Sequence, residues 1–575
     1  MAGNEFTKTI TKTLVSILLT CSLMSGCAGT DPDLKTEQQN YDLLLINGTV
    51  VDGTGNTKFD GDIGIRDGHI VAIGDLANDS ASQVLDIGGQ VVAPGFIDTH
   101  SHADRALSSL ETAGIHGFLK QGVTTAVYGV DGFVSVDDLQ RYIEFSESDG
   151  MGINFMSYIG HNGVRRAVMG NENRPPTDAE LVQMKTAVGQ AMELGAAGLS
   201  TGLMYQPGSF ATTEEVIALA EVTALYNAVY DSHVRDPANN LLKSHQECLD
   251  VALAAGVDAH PGHIKAVGAL NFGKGPEIVK LIEAGIARGQ NVTVDLYPYD
   301  GAATVPIIAL LYPANDETGQ ELLQNLTTLM SGEKPEMEIP AIIAGLSAYW
   351  QQIPDKPEQY QQARVNTETP SEGAFSWIET VGYQSMRIVV SSQDGYDGRM
   401  VTALAADLDI SPFELFRQII ITEGPAAMVT LGAIPEEDIR IIMKQPWAMI
   451  SSDGAEVNPE HPRGRGTFPR VLGRYVREWD VLTLEEAVHK MSGLPANYLK
   501  MSDRGVIRSG AVADLVVFDP DTVIDKATWA EPGLYAEGIS HVLIGGEFAL
   551  QDGNPTDQLL GRFIHFSGKE MQGNK

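Results

Sequence analysis

Eight short apolar runs, most of them separated by segments of helical periodicity, constrain this chain more than any other feature. They are GFIDTH (95–100), VTTAVYG (123–129), INFMSYIG (153–160), AAGLSTG (196–202), NAVYDSH (227–233), DAHPGHI (258–264), VTVDLYPY (292–299) and WAMISSD (447–453). Strands of this length alternating with helices predict a parallel sheet with helices outside it, and eight units predict an α/β fold of the (β/α)8, TIM-like barrel type. Two intervening helices carry start signals: 177–195 has Asp178 and Glu180 in its first turn and closes on Gly195, and 212–226 opens on a Thr cap. About 150 residues separate the seventh run from the eighth and include the Pro- and Gln-rich SAYWQQIPDKPEQYQQARVNTETP (347–370), so an insertion between strands seven and eight is expected at about 305–385.

The flanks of this region have a different texture. YDLLLINGTVVDGTG, GDIGIRDGHIVAIG and QVLDIGGQVVAPG are short apolar segments punctuated by Asn-Gly, Asp-Gly and Gly-Gly, as antiparallel strands and turns require. GVIRSGAVADLVVFDP, ISHVLIGGEFALQDG and GRFIHF repeat that pattern near the other end. The two ends are expected to pair into one small β-sandwich module, 41–94 with 496–575, around a barrel at 95–495.

Ahead of residue 41, Lys8 and Lys12 precede an apolar stretch from Thr13 to Met24 that is shorter than the ~20 residues needed to span a bilayer. Residues 1–26 are therefore expected to be a signal peptide, and the polar, aperiodic 27–40 a tether. The run LMSGC resembles a bacterial lipoprotein box, with Met24 where Leu is usual. It implies an exported, periplasmic protein held to a bacterial membrane by acyl chains on Cys27. Cys21, Cys27 and Cys248 make no disulfide framework, and Cys248, on a helical stretch, is expected to be a buried structural thiol. A formal net charge of −36 repels phosphate backbones and excludes nucleic acid as a natural partner; an anionic substrate needs a locally basic pocket.

In a barrel the C-terminal strand ends share one mouth, and several of these runs end on metal-type residues. His100 and His102 end the first run on the same side of an extended chain, Asp131 follows the second, His233 closes the fifth, His263 the sixth and Asp453 the eighth. A lone histidine at a strand end is as often structural as functional, but the coincidence of six such groups suits one or two zinc or similar divalent ions. His161, embedded in an Asn-Gly turn, is expected to be a wall residue. His69, His541 and His565 are expected to be structural residues of the β module. A bound zinc makes hydroxide available near neutral pH, and a carboxylate beside it can act as a general base. Arg463, crowded with Arg465 and Arg470 in a loop past the eighth run, offers a fork matched to a carboxylate.

On these residues, with DLLLINGTVVDGTG, APGFIDTHSHAD, GAAGLSTGLMYQPG, HIKAVG, SSDG, HPRGRGTFPRVLGRYVRE and RGVIRSGAVADLVVFDP, the chain resembles the amidohydrolase superfamily, and within it the D-aminoacylase or N-acyl-D-amino-acid deacylase family, from about residue 41 to its end. The resemblance implies zinc-dependent hydrolysis of the amide of an N-acyl-D-amino acid, a small-molecule substrate. It assigns His233 and His263 to a tightly held zinc, His100 and His102 to a weaker or second position, Asp453 to catalysis, Arg463 to the substrate α-carboxylate, and Lys265 and Tyr205 to further substrate contacts. Asp131 stands where the family often has Cys, and harder oxygen ligation there should loosen the ion and admit Mn2+ or Co2+. Ala302 or Ala303 replaces a Ser that follows YPY in relatives. Alternatives are a dipeptidase acting on D-residues, a hydantoinase- or dihydroorotase-like cyclic amidohydrolase, whose bridging lysine AAGLSTG lacks, and an exported protein that binds a ligand without chemistry.

Overall fold

The computed structural model describes residues 40–108, 112–322, 339–369, 376–457, 460–556 and 558–568. The expected signal peptide, Cys21, Cys27 and, but for Asn40, the tether lie outside the described residues. No helix among the described residues is long and apolar enough to cross a membrane.

Five strands open the described chain: β1 (Asn40–Val50), β2 (Phe59–Arg66), β3 (His69–Gly74), β4 (Ser80–Asp86) and β5 (Val91–Pro94). The barrel follows with β6 (Phe96–Asp98), β7 (Val123–Tyr128), β8 (Asn154–Ser157) continued by β9 (Ile159–Gly160), β10 (Gly198–Gly202), β11 (Val229–His233), β12 (Asp258–Pro261) and β13 (Val294–Leu296). An insert contributes β14 (Thr304–Pro306), β15 (Ile388–Val390) and β16 (Met428–Thr430) ahead of the eighth barrel strand, β17 (Ala448–Ile450). The chain then closes with β18 (Leu515–Phe518), β19 (Ile539–Ile544), β20 (Glu547–Gln551) and β21 (Asn554–Pro555).

Each of the eight apolar runs supplies a barrel strand. Parallel ladders join β6 to β7 to β8, β9 to β10 to β11 to β12, and β13 to β17. A parallel bridge between Ala259 and Val292 links β12 to β13. The ring is completed between its last and first strands, where Asp453 N donates to His100 O and His102 N to Gly454 O, each at 2.8 Å. Thr177 and Thr212 cap the helices Asp178–Glu193 and Thr213–Ala224 through the backbone N–H of Glu180 and Glu215, a contribution of about 1 kcal/mol each. The inner face of the first of these helices, Met184, Val188, Ala191 and Met192, is buried in the core outside the sheet.

The two chain ends share one nine-stranded sheet. β18 pairs with β5 and with β19, and β5 with β1. Ile70 N also donates to Ala511 O and Ala513 N to Gly68 O, both at 2.8 Å, so the β2–β3 hairpin returns to the segment that leads into β18. The sheet curls over a core of Leu43, Leu45, Ile63, Ile65, Leu515 and Val517, which is how one hydrogen-bonded sheet makes a sandwich-like module. The segment GRFIHF does not belong to that sheet, contrary to expectation. Gly561 bridges Met151, Phe563 bridges Phe155, and Phe566 N donates to Gly195 O at 3.0 Å, so these residues pack against the barrel.

The insert is longer than the expected 305–385. Its three strands form an antiparallel sheet in the order β14, β16, β15. Its core extends from Ile307 to Leu431 because the helix Pro412–Glu423 brings Phe413, Phe416, Ile419 and Ile420 against Trp350, which is 1% exposed.

Candidate metal centre

The local backbone explains how the strand ends deliver their side chains. His100 and His102 lie just past β6, where the chain bends at Thr99 and His100, and both side chains still reach Asp131. His233 is the last residue of β11, two beyond the inward-facing Asp231. Asp131, His263 and Asp453 all lie in the turn after a strand and all take left-handed backbone, with φ of 59°, 35° and 48°. Non-glycine residues in that region cost on the order of 1–3 kcal/mol and cluster where a site demands a particular side-chain direction. Gly262 is required for a different reason: a Cβ there would lie 2.9 Å from Asp231 Oδ1 and 3.0 Å from His100 Nδ1.

The six residues singled out from sequence converge. Asp131 stands at their centre: its Oδ1 lies 3.2 Å from His233 Nδ1, 3.5 Å from His263 Nε2 and 3.6 Å from His100 Nε2, while its Oδ2 lies 3.6 Å from His102 Nε2. Two groups of three ligand atoms result, His100–His102–Asp131 and Asp131–His233–His263, with Asp131 common to both. Asp453 Oδ1 is 3.2 Å from His102 Nε2 and 3.9 Å from His100 Nε2. Its other oxygen accepts from Arg463 Nη1 at 2.7 Å.

Buried acids continue beneath this layer. Asp295 accepts from the backbone N of His263, from Thr99 Oγ1 at 3.0 Å and from His260 Nε2 at 3.1 Å, and its Oδ2 lies 4.0 Å from His100 Nδ1. Asp231 accepts from Ser200 Oγ at 2.6 Å, and Asp98 from Ser452 N at 2.9 Å. Burial pushes Asp98 up to about 7 and Asp231 up to about 6. Burial also works against Asp131, but His233, His100 and His263 outweigh it and hold that carboxyl well below the usual range. Asp453 is likewise held well below it, with the Arg463 charge and the His102 hydrogen bond overcoming burial. For His100, burial favours the neutral ring, yet Asp131, Asp295 and Asp453 together raise it to about 10. The site is rich in negative charge and short of positive charge.

That electrostatic demand, with the donor set, fits a divalent cation. Both ring nitrogens of fully buried His100 and Nε2 of His233 have no hydrogen-bond partner within the protein, a costly state for a buried polar atom unless something else engages it. Imidazole nitrogens around a shared carboxylate are ligands suited to zinc and its neighbours. A bridging group already stands between the two triads as Asp131. β10, reading GLSTG, carries no lysine, so the cyclic amidohydrolase arrangement lacks its bridging residue.

Above the cluster opens a cavity of about 570 Å³ lined by His102, Asp131, Tyr205, His233, His263, Lys265, Asp453 and Arg463, so the three expected substrate contacts share one wall with the histidines. Lys265 Nζ lies 5.4 Å, and the Arg463 guanidinium 4.7 Å, from the centre of the same Tyr297 ring. Burial lowers Lys265 to about 8, which leaves it largely cationic at pH 7. Lys265 Nζ donates to His263 O at 2.7 Å. The Tyr205 ring lies 4.7 Å from that of His233.

His161 is not on the wall: its Nε2 bonds Glu215 at 3.0 Å, and Arg165 pairs with the same carboxylate away from the mouth. His565 sits outside the β module, bonded to Leu194 O at 3.1 Å. Cys248 is a buried free thiol, as expected.

Sequence reasoning missed Asp98, Asp231, Asp295 and His260. Their signal was a charged residue inside an otherwise apolar barrel strand, as in VTVDLYPY. It also missed His461, whose Nδ1 accepts from Arg463 N at 3.1 Å while Nε2 donates to Gly301 O at 3.1 Å, which fixes the start of the arginine loop.

Comparison with known proteins adds to this geometry. The chain matches the model of the Amidohydrolase family over residues 397–549 and that of the urease alpha-subunit N-terminal domain over residues 24–93. It is 33% identical to the N-acyl-D-glutamate deacylase of Alcaligenes xylosoxydans xylosoxydans over 532 residues, 88% of this chain and 93% of that relative. The D-aminoacylase of the same organism is 31% identical over 553 residues, 92% of this chain and 99% of that relative. Among solved structures, the N-acyl-D-glutamate deacylase of Bordetella bronchiseptica, complexed with zinc and a phosphonate that mimics the tetrahedral intermediate, is similar with a TM-score of 0.70 at 29% identity, over 92% of this chain and 100% of that one.

Proposed function

The chain belongs to the D-aminoacylase family of amidohydrolases, and from that premise we infer that it is a metal-dependent hydrolase that cleaves the amide bond of N-acyl-D-amino acids, releasing a carboxylate and the free D-amino acid. The observation that carries the reading is the position of Asp131 between two histidine pairs, with Asp453 beside His102 and Arg463 closing on Asp453.

His233, His263 and Asp131 would hold one zinc ion, and His100, His102 and the same carboxylate a second or weaker one. Oxygen ligation from Asp131 makes Mn2+ and Co2+ acceptable substitutes. An ion bound there supplies Lewis acidity, lowering the pKa of a coordinated water to about 7 and polarising the scissile carbonyl.

The protein's own groups do the rest. Asp453, ionised across the working pH range, accepts the proton of the attacking water at Oδ1 and delivers it to the amide nitrogen, which leaves as a neutral amine. Arg463 and Lys265, both close to the Tyr297 ring, grip the α-carboxylate and so fix the amide over the cluster. Tyr205 lines the same cavity, its ring tilted against that of His233.

The test is a panel of N-acetyl-D-, N-acetyl-L- and dipeptide substrates assayed with metal analysis on the loaded and the chelated protein. Hydrolysis confined to D compounds and dependent on the ion upholds the reading. Equal cleavage of both enantiomers, or full activity after chelation, refutes it.

Export with acyl attachment at Cys27 is proposed from LMSGC and its apolar approach. Detergent-phase partitioning that is lost in Cys27→Ser supports it, and unchanged partitioning removes it.

A further inference from the structure

An N-acyl-amino acid presents three groups at its α-carbon, and the cavity answers each with different chemistry. The amide belongs over Asp131 and Asp453, and the α-carboxylate between Lys265 and Arg463. What remains for the side chain is the wall next to that clamp. The backbone runs from Lys265 to Val267 and from Tyr297 to Val305, and the insert completes this wall with Trp377, Val381 and Leu431. The wall is apolar. Lys265 and Arg463 are the two cationic side chains among the described lining residues, and Arg463 is already paired with Asp453 at 2.7 Å. The other charged groups of the lining are acids: Asp131 and Asp453 at the cluster, and Asp104 and Glu460 away from it. A second carboxylate on the substrate would lose its hydration against apolar carbon and face charges of its own sign, with no further Lys or Arg among the described lining residues to meet it.

We propose that this enzyme is selective for N-acyl-D-amino acids with uncharged, apolar side chains, which seat on the insert wall formed by Val267, Val305, Val381 and Leu431, and that it rejects D-glutamate and D-aspartate derivatives. The proposal rests on the deacylase reading above and decides a question that reading leaves open, because the relatives include a deacylase of N-acyl-D-glutamate.

The metal-loaded full chain is assayed for kcat/KM with N-acetyl-D-leucine, N-acetyl-D-phenylalanine and N-acetyl-D-glutamate. The apolar substrates are expected to lead by on the order of 100-fold. Equal or better turnover of the glutamate compound overturns the proposal. Val305→Arg places a cation on the half-buried rim of the wall and should narrow the ratio by at least about tenfold in favour of glutamate. Thr304→Arg serves if that variant does not fold, and an unmoved ratio in a folded variant overturns the assignment of the wall. If no N-acyl-D-amino acid is hydrolysed, the deacylase reading is what fails. Calorimetric binding then decides this proposal: tighter binding of N-acetyl-D-leucine than of N-acetyl-D-glutamate upholds it, and equal, reversed or undetectable binding overturns it.

Discussion

Arg463→Gln separates substrate holding from chemistry. In the free enzyme the guanidinium stands 2.7 Å from Asp453 Oδ2 and over the Tyr297 ring. A hydrogen bond to a charged group contributes about 1.5–3 kcal/mol net. At about 1.4 kcal/mol per tenfold, losing one such bond to the α-carboxylate lowers kcat/KM by roughly 10- to 150-fold. Asp453 also loses its nearest counter-charge. The His102 hydrogen bond and the charge of His100 still favour its ionised form, so the base remains competent at neutral pH and most of the loss falls on KM. The assay compares N-acetyl-D-leucine with N-acetyl-D-leucinamide, which lacks the α-carboxylate. The variant should fall far behind the parent on the acid and stay within a few-fold of it on the amide. An equal loss on both substrates would refute a carboxylate-holding role.

Asp453→Asn removes the proton acceptor and should reduce kcat by on the order of 100-fold or more while leaving bound metal unchanged by elemental analysis. Asp131→Asn should instead lose metal, by more than the roughly 10- to 100-fold typical of changes one shell further out, and only secondarily lose activity. Trp350→Ala empties the insert core around Phe413 and should cost about 3–5 kcal/mol in denaturant unfolding of that unit, with metal content preserved in the folded protein. His245, buried in the helix Leu241–Ala255, bonds Leu241 O at 2.7 Å and is drawn down to about 4 by burial. Its folded value lies below the ordinary 6.5, so the unfolded chain takes up its proton first. Stability is therefore complete above about pH 6.5 and falls by about 3 kcal/mol as pH drops through 4. His245→Gln should flatten that part of a urea-midpoint profile, and an unchanged slope would count against the assignment.

The barrel was legible because its strands are short, apolar and bounded by turn residues, and because the Thr177 and Thr212 caps mark where helices begin. The metal cluster was legible because the barrel places every strand end at one mouth, so residues as distant as His100 and Asp453 could be read as neighbours. Other parts depend on information that a linear pattern does not hold. Whether Asp231 and Asp295 face the barrel interior depends on strand tilt and register. The insert continues to Thr430 because an amphipathic helix, Pro412–Glu423, turns Phe413 and Phe416 toward Trp350; its sequence equally suits an outer barrel helix. GRFIHF has strand composition and pairs with the barrel because Phe563 finds Phe155 there. His161 is drawn off the wall by Glu215, a helical residue about 50 positions away.

The ring is stitched shut by the residues to which we assign the chemistry. The amide of Asp453 bonds the carbonyl of His100 across about 350 intervening residues, and His102 bonds Gly454 beside it. Assembly of the fold and assembly of the reaction centre are thereby one event: until the eighth strand docks on the first, the base has neither its place beside His102 nor its arginine. A chain that stops short of that seam retains most of its histidines but lacks Asp453 and Arg463, so catalytic competence is itself a report that the circle has closed.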